Sequence, residues 1–377
     1  MWKVQLSKLN FDDREADAAF SVVKSGWLSM GTVVSRFESA FNNFLGHGVH
    51  SIAVSNCTAA LHMSLLSIGL EPEDEVIIPG LTFVADINSV ILAGGKPVLS
   101  DSTSLDDWNV SARTIEKSIT PKTKAVIVVH FAGFPCDMPS IKNLCLSKGL
   151  FLIEDVAHAP GASIAGKKCG TWGDVSCFSF FSNKNLSTGE GGMVASSNPE
   201  IIEHLKNLRS HGMTSLTFDR HNGRSISYDV LRPGLNYRMD EIRAAIGLVQ
   251  LDKLEAGNLR RQNLFKRYKA NFSESDISIP FQGLSYKNIS AFHILPILLP
   301  RGCDRMHVIE FLKENGIQSS IHYPPFWQFS AFKQQFSVAD YPNVNEITNR
   351  ELTLPLFPTM SFKEVDLVAD TLLKAIK

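Results

Sequence analysis

The sequence predicts an α/β fold, with a mostly parallel sheet in a large first domain and a smaller C-terminal α/β domain. Three observations predict it. From Ser51 to Glu154, short apolar runs alternate with helical patterns, as in a parallel sheet covered by helices on both faces. After Asp155 the rhythm changes to two apolar runs joined by a glycine-rich loop. The chain has 377 residues, 44% of them hydrophobic, enough for a substantial core divided between one large unit and a smaller one.

In order, Ile52 to Val54 reads as a strand and Thr58 to Ile68 as a helix. Val76 to Ile78 is a strand, Phe83 to Leu92 a helix and Lys96 to Ser100 a strand. Ala125 to His130 is a strand, Ser140 to Lys148 a helix and Leu150 to Glu154 a strand. Val175 to Phe180 and Met193 to Ser196 are the two strands flanking the glycine-rich loop, and a helix follows from Pro199 to Ser210. Arg220 to Ser225 is polar and weakly periodic, a surface loop. Asp240 to Leu254 is an amphipathic helix, which Asn258 to Lys269 continues as a long connector. Beyond Phe272, Phe292 to Leu298 and Leu352 to Leu354 are strand candidates, and Asp304 to Glu314 and Phe362 to Ile376 are helices. The domain boundary is placed near residue 256, giving domains 1–256, with an N-terminal arm, and 257–377.

Lys+Arg number 37 and Asp+Glu 38, a net charge of −1. No basic stripe or like-charge tail of the kind that binds nucleic acid is present. The cysteines at 57, 136, 145, 169, 177 and 303 form no CxxC pair and no Cys/His cluster. Neither a metal site nor a disulfide framework is expected, and reduced thiols in a cytoplasm are. Met1 to Lys8 lacks the apolar run of a signal peptide, and no stretch is long and uncharged enough to span a membrane.

Four segments carry candidate chemistry. Lys184 follows an apolar strand and precedes Gly189-Glu190-Gly191-Gly192. A lysine there can project into a cavity where desolvation lowers its pKa, as an amine nucleophile requires. It can equally be an ordinary loop lysine. Asp155 ends a strand, where active sites in parallel sheets collect, and its alternative is a helix cap. His158, three residues on, also suits a core position. Ser55-Asn56-Cys57-Thr58-Ala59-Ala60 lies between a strand and a helix. Free N–H groups at a helix start attract phosphate, and the same residues serve as routine caps. Ser179 could add a hydroxyl, and Phe83 could stack on a flat ring or sit in the core. A lysine, a carboxylate, a phosphate cradle and a flat apolar side chain are what pyridoxal phosphate needs from a protein.

Taken together and in order, these segments resemble the DegT/StrS family of sugar aminotransferases over nearly the whole chain. Gly26-Trp27-Leu28-Ser29-Met30-Gly31 with Phe37-Glu38 is similar to its opening motif, and Ser55 to Leu61 to its phosphate loop. Pro79-Gly80-Leu81-Thr82-Phe83 resembles the segment that supplies a stacking aromatic, and Glu154 to Ala159 the pyridine-nitrogen motif. Ser179 to Gly192 resembles the lysine motif. Gly234 to Met239 and His322-Tyr323-Pro324-Pro325 complete the set.

The resemblance implies a PLP-dependent transferase fold (type I), with a mostly parallel seven-stranded-type sheet. It implies that Lys184 forms the Schiff base with pyridoxal 5′-phosphate and shuttles protons. Asp155 would pair with the ring nitrogen and His158 would sit on the ring's oxygen side. Thr58, Ala59 and Ser179 would hold the phosphate, with Phe83 on the ring. Asn236 and Arg238 would reach into a partner's site, making a homodimer the smallest working unit. His322, Tyr323 and Glu190 would contact substrate.

The implied reaction moves an amino group from glutamate, or glutamine, to a keto sugar. That sugar would be nucleotide-linked and deoxygenated, destined for a surface polysaccharide, a glycan or an antibiotic. A keto cyclitol and a free keto sugar acid are alternatives. So is a PLP-dependent dehydratase or lyase, although dehydratases of the family carry histidine at the position of Lys184. A binding protein without turnover is disfavoured by Lys184, Asp155 and the phosphate loop occurring together. A nicotinamide dehydrogenase is disfavoured because no GxGxxG follows the first strand. The resemblance departs at Cys57, where relatives commonly carry glycine, and in the long polar loop from Thr214 to Asp229.

Overall fold

The computed structural model describes residues 2–46, 48–214, 227–284 and 288–376. The predicted loop Arg220 to Ser225 lies outside the described residues. The first 110 residues contain α1 (Asp13–Ser25), α2 (Thr32–Leu45), β1 (His50–Val54), α3 (Cys57–Ser67), β2 (Glu75–Pro79), α4 (Val84–Leu92) and β3 (Lys96–Ser100). Then come α5 (Ala112–Glu116), β4 (Thr123–Val129), α6 (Met138–Lys148), β5 (Phe151–Asp155), β6 (Ser163–Ile164), β7 (Lys167–Lys168), β8 (Val175–Ser179), β9 (Gly192–Ser196) and α7 (Pro199–Arg209). The remainder is α8 (Glu241–Asn271), β10 (Asn288–Ile289), β11 (Leu295–Leu298), α9 (Arg305–Glu314), α10 (Pro342–Arg350), β12 (Glu351–Leu354) and α11 (Phe362–Ala375).

The main sheet has seven strands in the order β1-β9-β8-β5-β4-β2-β3. Strands β3, β2, β4, β5 and β8 run parallel, and β9 is antiparallel to both its neighbours. The β8–β9 pairing is the hairpin-like unit expected from the glycine-rich loop. The parallel strands are buried on both faces because helices cover both. Helices α3, α4 and α7 pack on one side. Helices α2 and α8 and the pair α5/α6 cover the other. Such strands read as continuous apolar runs, which is why the sequence located them within a residue or two.

Register puts the site at one edge. Val129 lies beside Asp155, and Asp155 beside Cys177. Ser179 lies beside Gly192, and Gly192 beside Val54. The carboxyl ends of β4, β5 and β8 therefore finish side by side, the usual location of a ligand crevice in open α/β sheets.

Two helices before Ser51 were not expected. Asp12 and Glu15 form a capping box that starts α1, and α2 buries Val34, Phe37, Phe41 and Leu45. In the C-terminal unit, β11 begins at Leu295, later than the predicted Phe292. The amides of Ala291 and His293 are already committed to the carbonyls of Gly133 and Ala132, and Phe292 has a φ of 48°. That backbone is held by the large unit and is not free to pair with β12.

Helix α8 runs unbroken through residue 256. It contributes Ala244 and Leu254 to the core beneath the main sheet. Leu264, Phe265 and Tyr268 enter the core of the C-terminal unit. The N-terminal segment also joins that unit: Val4 bridges Ile317, and the amide of Leu6 donates to Gln318 Oε1 at 3.0 Å.

Candidate functional site

A cavity of about 310 Å³ opens at the carboxyl edge of the sheet. Its lining brings together nearly all of the residues singled out in the sequence: Thr58, Phe83, Asp155, His158, Ser179, Lys184, Glu190, His322 and Tyr323.

Asp155 is the last residue of β5 and is 6% exposed. One carboxylate oxygen accepts the amide of Ala157 at 2.7 Å. Burial raises its pKa, while that N–H and the charge of Lys184 oppose the rise. Lys184 sits in a tight turn, its amide donating to the carbonyl of Phe181 at 2.9 Å. Burial lowers its pKa from 10.5 to about 8, against the attraction of Asp155. The amine is thus within reach of its free-base form near neutral pH, as a proton shuttle requires.

His158 is 4% exposed. Its Nδ1 accepts the amide of Ala132 at 3.3 Å, so in the neutral ring Nε2 carries the proton. Nε2 lies 3.1 Å from the hydroxyl of Tyr323. Burial, with Lys184 and His322 nearby, pushes the imidazole pKa well below its usual value, so the ring is neutral. The hydroxyl of Tyr323 accepts from it and keeps its own proton for the cavity. Phe83 is 53% exposed, at the mouth and not in the core, with its ring 5.5 Å from that of Tyr323.

The side of the cavity expected to take a phosphate is built from β8, β9 and the start of α3. Helix α3 begins at Cys57, one residue before the sequence prediction, because Asn56 is its cap and accepts the amide of Ala59 at 2.8 Å. This leaves the amides of Cys57 and Thr58 as the uncommitted donors of the first turn. Ala59, predicted to hold phosphate, has its N–H spent on the cap and does not line the cavity. The approach of β9 to this turn depends on Gly192. A Cβ there would sit 2.6 Å from the backbone of Asn56 and 2.8 Å from the amide of Cys57. Cys57 itself is accommodated, buried on the lining.

Asn236 and Arg238 do not line the cavity of their own chain. They bridge to Ser210 and Val54 respectively.

Sequence reasoning missed Asn183 and Asp86. Asn183 lines the cavity beside Lys184, and its buried Oδ1 has no partner among the described residues. Its position one residue before Lys184 was the available signal. Asp86 is fully buried one helical turn beyond Thr82, whose hydroxyl donates to it at 2.6 Å. Burial and the charge of Asp155 raise its pKa well above the usual range. Burial raises the pKa of both buried carboxyls, Asp86 more strongly than Asp155.

The donor set fits pyridoxal 5′-phosphate. A buried Asp155 carboxyl, a lysine of lowered pKa, hydroxyls at Thr58 and Ser179, two helix-start amides without a partner among the described residues and an orphaned Asn183 amide oxygen converge on one space. Among the described residues no group of three or more His, Cys, Asp or Glu could hold a metal. Among the described residues no helix is long and apolar enough to cross a membrane.

Comparison with known proteins agrees with this geometry. The model of the DegT/DnrJ/EryC1/StrS aminotransferase family matches residues 10–373. The spore coat polysaccharide biosynthesis protein SpsC of Bacillus subtilis is 36% identical over 369 residues, covering 96% of this chain and 94% of its own. The structure of Helicobacter pylori PseC, an aminotransferase involved in the biosynthesis of pseudoaminic acid, superposes with a TM-score of 0.90 at 29% identity, covering 99% of both chains. The PLP form of a putative sugar aminotransferase, Spr1654 of Streptococcus pneumoniae, has a TM-score of 0.90 at 27% identity, covering 98% of this chain and 97% of that one.

Proposed function

The chain belongs to the DegT/DnrJ/EryC1/StrS aminotransferase family, a PLP-dependent sugar aminotransferase, and we propose that it moves the amino group of glutamate, or glutamine, onto a nucleotide-linked keto-deoxy sugar. The amino sugar formed would enter a surface polysaccharide, a glycan or an antibiotic. SpsC and PseC, one named for spore coat polysaccharide biosynthesis and the other for pseudoaminic acid biosynthesis, support that destination. We also propose a cytoplasmic homodimer, with Asn236 and Arg238 of each protomer completing the other's site.

One observation carries the reading: a lysine of lowered pKa and a buried carboxylate line one cavity at the carboxyl edge of a parallel sheet. Pyridoxal 5′-phosphate, when bound, supplies an electron sink that stabilises a carbanion next to nitrogen. The residues supply the rest. Asp155, held by the amide of Ala157, would keep a proton on the ring nitrogen. Thr58, Ser179 and the amides at the start of α3 would hold the phosphate. Phe83 would lie against the ring. Lys184 in its free-base form would remove a proton from the donor's α-carbon and carry it as the ammonium. The same amine makes the reverse transfers on the sugar half-reaction. His158 holds Tyr323 with its hydroxyl proton toward the cavity. His322 and Glu190 contact substrate.

The test is a screen of keto sugars with glutamate as donor. The expected result is 2-oxoglutarate formed in step with sugar consumed, with Lys184→Ala inactive. Sugar conversion without 2-oxoglutarate would make the enzyme a lyase or dehydratase. Failure of the purified protein to take up pyridoxal phosphate would sink the reading altogether.

A further inference from the structure

Behind the cavity lies a buried polar chain with no role in the steps above. Glu351 begins β12 and is fully buried. Its Oε2 accepts the amide of His322 at 2.9 Å, and its Oε1 lies 2.5 Å from the hydroxyl of Thr353. That hydroxyl is in turn 2.9 Å from Nδ1 of His322. The guanidinium of Arg305, on α9, hydrogen-bonds to the carbonyl oxygens of Thr348 and Glu351 and not to the carboxylate. No hydrogen bond reaches Nε2 of His322 from the described residues. The ring lines the cavity with Lys184 and Tyr323.

A hydroxyl has one proton, so the direction of this chain is all or nothing. With Glu351 ionised, Thr353 donates to it and accepts from Nδ1–H, which leaves a bare lone pair on Nε2. With Glu351 protonated, the acid proton fills the 2.5 Å contact and the hydroxyl proton of Thr353 turns to Nδ1. The ring proton then sits on Nε2.

We propose that Glu351 and Thr353 are positioning residues, and that the ionisation of Glu351 sets whether His322 offers the substrate a hydrogen-bond acceptor or a donor. The natural partner is a hydroxyl or carbonyl oxygen of the sugar, an identification that rests on the function proposed above. Burial raises the Glu351 pKa from 4.5 to about 8, with only Arg305 and hydrogen bonds opposing it, so both orders are populated near neutral pH. Burial and Lys184 hold His322 down at about 4, so its ring stays neutral and only the tautomer changes. His322 in turn acts on His158 and His293, and Glu351 on Tyr323. Burial keeps all three uncharged through this range.

The test is long-range proton–nitrogen correlation spectroscopy of histidine-labelled holoenzyme across the pH range on either side of about 8. The His322 signals are identified by their loss in His322→Gln. In the wild type the ring proton moves from Nε2 to Nδ1 as pH rises. In Glu351→Gln it stays on Nε2 throughout, because the amide N–H replaces the acid O–H. Thr353→Val removes the step and Thr353→Ser restores it. A wild-type tautomer that does not change with pH, or a step that survives in Thr353→Val, overturns the proposal. In the active enzyme, KM for the keto sugar follows the same step while the glutamate half-reaction does not. The tautomer is read without turnover, so failure of the aminotransferase reading leaves that result interpretable.

Discussion

His158 and Tyr323, 165 positions apart in the chain, hydrogen-bond at 3.1 Å between Nε2 and the phenol. The bond ties the turn after β5 to the segment before β12. Because Nδ1 of His158 is occupied by the amide of Ala132, the tyrosine oxygen is the acceptor and its proton is free for the cavity.

Tyr323→Phe therefore leaves a buried N–H on His158 without a partner. The expected cost is about 1–3 kcal/mol of stability. We expect catalytic efficiency toward the keto substrate to fall by roughly tenfold, the effect of about 1.4 kcal/mol lost in the transition state. Thermal unfolding and steady-state kinetics measure both, and a variant equal to wild type in each would show that the bond contributes nothing.

Lys184 deprotonates near pH 8 because it is desolvated. In cofactor-free protein, acylation of this amine, followed by mass spectrometry, should rise through that pH. Asp155 is the main group holding the pKa up. In Asp155→Asn the acylation midpoint should move to lower pH, and turnover of the loaded enzyme should drop by roughly 100-fold or more. A midpoint unchanged by the substitution would mean that the two side chains do not sense each other.

Glu351 gives stability a sign with pH. Its folded pKa is about 8 and its ordinary value 4.5, so between these limits the native state holds a proton that the unfolded chain releases. The stabilisation is present below the lower value and is lost as pH rises toward the upper one, at most about 1.4 kcal/mol per pH unit from this single group. Glu351→Gln should flatten that slope in calorimetric Tm measurements. Parallel slopes for the two proteins would contradict the assignment.

The proposed shared site predicts that subunits complement each other. Lys184→Ala and Arg238→Ala are each expected to be inactive as pure homodimers. Mixed after partial denaturation and refolding, they should regain activity, since a hybrid dimer carries one site with both residues intact. No recovery in a mixture proven to contain hybrids would remove Arg238 from the partner's site.

Much of this was legible in the sequence because the information is local. Buried parallel strands announce themselves as apolar runs, and Asp155 and Ser179 end one while Thr58 and Lys184 follow within a few residues. At Ala59 the helix start was off by one residue: the helix starts at Cys57, so the amide of Ala59 is bonded to its cap, Asn56. Thr353 and Glu351 were invisible for a different reason. Glu-Leu-Thr-Leu reads as an ordinary half-exposed strand, and only tertiary folding brings it against His322, about thirty residues earlier in the chain. Phe83 could have been read from its apolar setting as core or as a ring-stacking residue, and it stands at the cavity mouth.

The unbroken α8 has a mechanical consequence. Its 31 residues form a rod roughly 45 Å long, clamped at one end by the core under the main sheet and at the other by the C-terminal core. A beam fixed at both ends offers no pivot. Opening of the cavity is therefore expected at the segments bearing Phe83 and Tyr323 at its mouth, not by separation of the two cores that grip the beam.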